Sequence, residues 1–384
     1  MQPIIKGHGY GAAKILFVAG HPLSPDLQTG LALSGTSETT LDQFLRAQKL
    51  NIKQTYRTLY IKEKLEYAGT NSRRLREALA KVYTVEYNKI LMDEIKEVQP
   101  NVIVPLDDIS LSVVYPHIDP RRGPGKGKRW IDAYRGSILP FNDKTKARRL
   151  GDERFIKVIP TYGPQFLYAN WPARSYISVD YTRIAKYSET EEEFKSPGLV
   201  WVAKTNEALI SFLARQYAKV PKMCTFDVET YGGMITCISF CFDGYEAVSV
   251  PLSFTNEISI EEKAELWRTV SKILADERTE KNNQNIKFDW TLLERHGFVI
   301  NNVVHDTMLK AGLLYPELPK NLGFLTSLYT EIPYFKDEGK NFDPRLGKDQ
   351  LYLYNAKDSL AAHIISEEQD KELKELDNNA ITLP

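Results

Sequence analysis

The stretch "MCTFDVETYGG", Met223–Gly233, puts a cysteine and two carboxylates on one short apolar run. Successive side chains of a strand point to opposite faces, so Asp227 and Glu229, two apart, share a face. Two carboxylates that close repel unless a proton or a cation joins them. Three readings are open: a thiolate metal site, a carboxylate metal site, or a buried strand with an acidic end. The three cysteines of the chain, Cys224, Cys237 and Cys241, all lie in this region. Cys237 and Cys241 fall four apart in the apolar run "ITCISFCF", and no Cys-x-x-Cys spacing occurs. They read as small buried strand residues.

Two downstream stretches favour the carboxylates. "NQNIKFDWTLLERHG" sets Asn285 and Asp289 four apart at the start of a helical pattern, and "YLYNAKDSLAAHII" does the same for Tyr354 and Asp358. On a helix that spacing places both residues on one face. Asp306, between the strand-like "NNVVH" and the helical "TMLKAGLL", reads as an N-cap.

The order D-x-E, N-x-x-x-D, Y-x-x-x-D resembles the three motifs of the DnaQ-like 3′–5′ exonucleases, in the subtype with a tyrosine in the third motif. "VVHDTMLKAGLLYP" and "LPKNLGFLTSLYTEIPYFKDEGK" resemble the segments after the second motif in family-A DNA polymerases, the latter those of phages. The resemblance implies a ribonuclease H-like exonuclease domain over residues 198–384. It also implies phosphodiester hydrolysis with two Mg²⁺ or Mn²⁺ ions, hard cations that take oxygen ligands. Asp227 would bridge the two ions, Glu229 and Asp358 would hold the ion that activates water, and Asp289 would support the second. Tyr354 would orient the water and Asn285 would line the strand path. Met234 could stand near the terminal bases, although packing in the core is its simpler reading. The implied substrate is the single-stranded 3′ end of DNA and the implied partner a DNA polymerase. No polymerase motif occurs, so the polymerase is expected either as a separate chain or as a region missing from this sequence. The alternatives are an exoribonuclease of the ribonuclease D type and a non-catalytic DNA-binding accessory protein.

The first half alternates strand and helix signals: "KILFVAG", "TTLDQFLRAQKL", a long helical pattern ending at Pro100, then "NVIVPL" and "RFIKVIPTY". This order predicts a parallel sheet between helices, with the loops after Gly20, Leu106 and Thr161 converging at its carboxyl edge. "VAGHPLSPDLQTGLALSG", "YRGSILPF" and "VIPTYGPQFLY" resemble the uracil-DNA glycosylase superfamily, nearest the family-4 type. That implies a three-layer α/β domain over residues 1–190. The sequence departs from the family at three chemical positions. Leu33 stands where a uracil-stacking phenylalanine is usual, Gly163 where a histidine is usual, and this half has no cysteine to hold an iron–sulfur cluster. A glycosylase-like fold without glycosylase activity is therefore expected, His21 being the one candidate substitute. The loop "RRGPGKGKRW" carries Arg121, Arg122, Lys126, Lys128 and Arg129 and suits a phosphate backbone.

Composition sets the frame. The chain has 384 residues, 42% hydrophobic and 26% charged, as in a water-soluble globular protein. No apolar run reaches the roughly 18 residues of a membrane span. Three cysteines fit a reducing compartment, so a cytoplasmic location is expected, that of the host if the source is a phage. Net charge is zero, yet residues 1–196 hold 30 Lys and Arg against 22 Asp and Glu, and the remainder 20 against 28. A basic half joined to an acidic half suits a polyanion surface beside a carboxylate-rich site. The polar stretch 185–198 marks the boundary between them.

Overall fold

The computed structural model describes residues 4–64, 85–119, 129–141, 155–253, 258–340 and 348–381. The chain divides into two compact units, Met1–Lys195 and Ser196–Pro384.

In the first unit, strands β1 (His8–Gly9), β2 (Ile15–Ala19), β3 (Thr55–Leu59), β4 (Val102–Pro105), β5 (Leu139–Pro140) and β6 (Lys157–Val158) form one sheet in the order β1-β3-β2-β4-β6-β5. The apolar runs of β2 and β4 lie at its centre, where Leu16, Phe17, Val18, Ile103 and Val104 have no exposed surface. Strands buried on both faces require such continuous apolar runs. Helices Thr36–Ala47, Val85–Val98 and Arg174–Ser188 supply Leu45, Leu91, Ile95, Ile177 and Ile184 to the same core. The all-parallel expectation needs correction. β3, β2, β4 and β6 are parallel, but β1 pairs antiparallel with β3 and β5 with β6. Both are two-residue edge strands, and an antiparallel neighbour needs no crossover helix. The loops at the carboxyl edge do meet: Gly20 donates to Asp107 Oδ2 at 2.6 Å and Gly163 to the Leu106 carbonyl at 3.0 Å.

The second unit is also built on a six-stranded sheet. β7 (Leu199–Val202), β8 (Met223–Tyr231), β9 (Met234–Cys241), β10 (Glu246–Pro251), β11 (Glu280–Asn283) and β12 (Val303–Asp306) lie in the order β12-β11-β8-β9-β10-β7. β8, β9 and β10 form an antiparallel meander, and β11, β12 and β7 join it in parallel. The helix Asn206–Tyr217 begins at Thr205, whose side chain caps Ala208 N. Together with Ile260–Ala275 this helix covers one sheet face, where Leu209, Phe212, Leu266 and Val270 meet Cys224, Phe226 and Phe240. The long helix Asp349–Ile381 covers the other, with Ala356, Leu360 and Ile365 against Cys241 and Ala247. All three cysteines are buried and unpaired. The sequence gives no sign of β11, "EKNN". It is polar throughout, yet Lys281, Asn282 and Asn283 are buried because each finds internal acceptors or donors.

One side chain fastens the long helix to the meander. Asn355 donates to Asp227 Oδ2 at 2.8 Å and to its carbonyl at 3.1 Å. Ser249 Oγ donates to the Asn355 side-chain oxygen at 3.0 Å, and Ser239 Oγ to its carbonyl at 2.8 Å. Asn355→Ala leaves buried groups on β8 and β10 without partners and is expected to cost about 1–3 kcal/mol in urea unfolding. A loss below about 0.5 kcal/mol would show that water replaces the missing amide.

Candidate metal centre

β8 supplies the first two acids through simple alternation. Cys224, Phe226 and Val228 enter the apolar core. Thr225, Asp227 and Glu229 take the opposite face, where Thr225 meets His363 of the long helix at 2.9 Å. One turn separates Tyr354 from Asp358 on that helix, and Asp358 is 3% exposed. Asp227, Glu229 and Asp358 each present a carboxylate oxygen within 4.8 Å of the others. Asp289 lies outside this tightest group. It is buried in the first turn of the helix Ile286–Arg295 and held by Asn283 Nδ2 at 2.7 Å.

Burial raises every carboxyl of the set, and repulsion from the others adds to it at Asp227, Glu229 and Asp289. Burial pushes Asp227 well above the ordinary range, with Asp358, Asp289 and Glu229 adding to it. Glu229 is pushed up to about 7 by burial and by Asp358. Asp289 also reaches about 7, through burial and Asp358 and against the Asn283 hydrogen bond. Asp358 is raised by burial while Lys336 opposes the shift. Tyr354 is raised by burial and by the nearby carboxylates, so its phenol keeps its proton.

Other expected residues stand elsewhere than the spacing suggested. Asn285 is not on the helix with Asp289. It is the residue before the helix, in the left-handed region at φ 61°, and its backbone N–H donates to Asp306 Oδ1 at 3.2 Å. It lines a groove of 420 Å³ with Lys287, Phe288, Thr291, Leu292 and Arg295. Asp306 caps the helix Thr307–Leu314 by accepting from Met308 N and Leu309 N. Met234 is not in the core but 49% exposed, because the β8–β9 hairpin reaches past the sheet. Its tip turns on Gly232 and Gly233, at φ 59° and 83°, which only glycine adopts freely. Of the basic loop, Arg121, Arg122, Lys126 and Lys128 lie outside the described residues. Arg129 pairs with Asp132 at 2.7 Å and lies 5.1 Å over the Phe166 ring.

Sequence reasoning missed two residues of the site. Asn355 sits beside Tyr354, where nothing distinguishes it from a surface amide. Lys336 donates to Tyr354 OH at 2.8 Å and to Asp358 Oδ1 at 2.6 Å. It stands in a polar run whose return to the long helix is set by the tertiary fold.

Residues 202–374 match the family model described as 3′–5′ exonuclease. Among solved structures, the catalytic core of RRP6 from Trypanosoma brucei is 15% identical, with 48% of this chain covered and a TM-score of 0.37. The chain spans about half of that core, 51%. RNase D of Escherichia coli is 18% identical over 46% of this chain and 45% of its own, with a TM-score of 0.34. The POL domain of Pol1 from M. smegmatis is 17% identical over 47% of this chain and 28% of its own, again with a TM-score of 0.34. No curated protein sequence matches the chain.

The donor set, carboxylate oxygens throughout, fits a hard divalent cation. Because the carboxyls are raised, the metal-free folded state holds more protons than the unfolded chain between about pH 4 and 7, and stability falls as pH rises through that window. Metal binds the deprotonated set and reverses the loss. Thermal unfolding is expected to show stabilisation by Mn²⁺ that grows from about pH 5 to 7.5, with a flatter metal-free slope in Glu229→Gln. Absence of any Mn²⁺ stabilisation at the upper pH would remove the metal assignment.

Proposed function

From the 3′–5′ exonuclease domain at residues 202–374, we propose that the chain removes nucleotides from the single-stranded 3′ end of DNA, proofreading for a phage DNA polymerase. That polymerase is a partner chain or a region outside this sequence, and the work is cytoplasmic. The observation that carries the reading is the convergence of Asp227 and Glu229 from β8 with Asp358 from the long helix, flanked by Asp289 and Tyr354.

Asp227, Glu229 and Asp358, with Asp289 beside them, would hold Mg²⁺ or Mn²⁺. Ions bound there supply Lewis acidity and make water acidic enough to act as a nucleophile near neutral pH. The chain's own residues do the rest. Glu229, raised to about 7 by burial and Asp358 while no cation is bound, gives up its proton as the ion enters and stays ionised as its ligand. Tyr354 keeps its hydroxyl proton and can hold a water in one orientation. Along the groove, Lys287 and Arg295 suit phosphates, and Phe288, 62% exposed, offers a face to a base. Asn285 lines the same groove, and Tyr231 and Met234 at the hairpin tip face solvent.

Asp227→Asn is expected to lower Mg²⁺-dependent release of mononucleotides from a 3′-labelled DNA strand by about a thousandfold or more, since one shared ligand serves the whole set. Matched RNA strands form the second arm. Faster cleavage of RNA would replace the proofreading reading with that of an exoribonuclease, and no cleavage of either would leave an accessory protein.

For the first unit we propose a uracil-DNA glycosylase-like fold without glycosylase activity. Leu33 is 2% exposed, so it offers no platform to a flipped base. The backbone N–H of Gly163, where a histidine would stabilise the leaving uracil, is already donated to Leu106 O at 3.0 Å. His21 spends its Nδ1 on the Pro22 carbonyl at 3.2 Å. A uracil-containing oligonucleotide is expected to release no free uracil. Release that disappears in His21→Ala would assign the activity to that loop.

A further inference from the structure

The acid set is already in contact with a cation of the protein. The Lys336 ammonium donates to Tyr354 OH at 2.8 Å and to Asp358 Oδ1 at 2.6 Å, and lies 4.8 Å from the centre of the Tyr354 ring. The segment that carries it is fixed from several sides. Phe335 is buried and meets Tyr354 edge-on at 5.8 Å. Glu338 pairs through both oxygens with Lys357, at 2.6 and 2.8 Å. Gly339 lies so close to the phenol ring that a Cβ there would stand 2.7–3.0 Å from three of its carbons. The helix Lys336–Lys340 is therefore seated on the Tyr354 ring, with the lysine reaching past it to Asp358.

We propose that Lys336 is a positioning residue with two linked roles: it fixes the direction of the Tyr354 hydroxyl, and it is the counter-cation with which an incoming divalent ion must share Asp358. The proposal rests on the exonuclease reading above. An ammonium has donors and no acceptor, so in this contact the Tyr354 oxygen must accept. Its single O–H is then left to point away from the lysine, towards Asp358 or a water. The second role follows from charge. A positive group touching one metal ligand lowers the negative potential that attracts a divalent ion, and removing it raises that potential. Loss of Lys336 should therefore tighten metal binding and slow turnover together. A residue that only supported the fold would weaken both.

The test measures Mn²⁺ binding by titration calorimetry on the full chain, beside turnover of a single-stranded DNA oligonucleotide. Lys336→Met and Lys336→Gln are both expected to bind Mn²⁺ about tenfold more tightly than the unmodified protein. Their kcat is expected to fall about 10- to 100-fold, with KM for DNA changed less than about threefold. Lys336→Arg keeps the charge and is expected to keep the original Mn²⁺ affinity while recovering part of kcat. Gly339→Ala displaces the ring without touching the charge, so kcat should fall at unchanged Mn²⁺ affinity. The glutamine variant retains a donor and answers the question if the methionine variant fails to fold. Unchanged or weaker Mn²⁺ binding in a folded variant lacking the charge overturns the proposal. If the unmodified chain neither binds Mn²⁺ nor degrades DNA or RNA, the exonuclease reading itself falls. If it does both and the variants show no tightening, only the role of Lys336 falls.

Discussion

Three carboxylates held within 4.8 Å of one another, with a fourth near enough to raise two of them further, cannot all ionise in a mostly buried place. The second unit is arranged around that repulsion. Solvent relieves it only in part, because the long helix packs on the sheet face that carries the acids and leaves Asp358 buried and Asp227 and Glu229 half-buried. Relief comes from protons, from Lys336 or from a metal ion, and the three compete for the same oxygens. The polar cross-links of the helix, from Asn355 to Asp227, Ser239 and Ser249 and from His363 to Thr225, hold the two elements in one register. Without that register the acids would lie on separate elements with nothing to draw them together.

The same constraint explains why the acids sit on strands and helices rather than on loops. β8 gives alternate positions to the apolar core and to the charged face, so the packing of Phe226 and Val228 sets the heights of Asp227 and Glu229. A side chain placed by core packing has few rotamers left, which is what a site with sub-ångström demands needs. The hairpin beyond, with Tyr231 and Met234 exposed, is free of those demands and faces solvent.

What could be read in advance follows the reach of each interaction. The acids of β8 and the Tyr354–Asp358 pair were legible because strand and helix periods fix their faces within a few residues. Lys336 and Asn355 were not, since each acts on a partner that only tertiary packing brings near. β11 has the composition of a surface loop, yet its lysine and asparagines are buried, with Lys281 donating to Asp276 and Thr279 nearby and Asn282 reaching Thr225 and Ala362 across the fold. The four-residue spacing of Asn285 and Asp289 is not wholly helical, because the helix starts one residue after Asn285, which takes a left-handed turn. In the first unit the apolar β2 and β4 announced themselves, and the two-residue antiparallel edges carry too little sequence to do so.

The two units differ in how far their polar groups are satisfied at the places where a ligand would be sought. At the carboxyl edge of the first sheet, Asp107 accepts from Gly20, Ile109 and Ser110, Gly163 donates to Leu106, and Arg129 is paired with Asp132. Each group has a partner within the unit, so an incoming base or phosphate would have to displace an existing bond. In the second unit few donors reach the carboxylates: Asn355 serves Asp227, Asn283 serves Asp289, and Lys336 and Tyr354 serve Asp358. A carboxylate offers about four lone-pair sites and is left well short of them here. That deficit, more than any single distance, separates a place built to receive cations from one that has closed on itself.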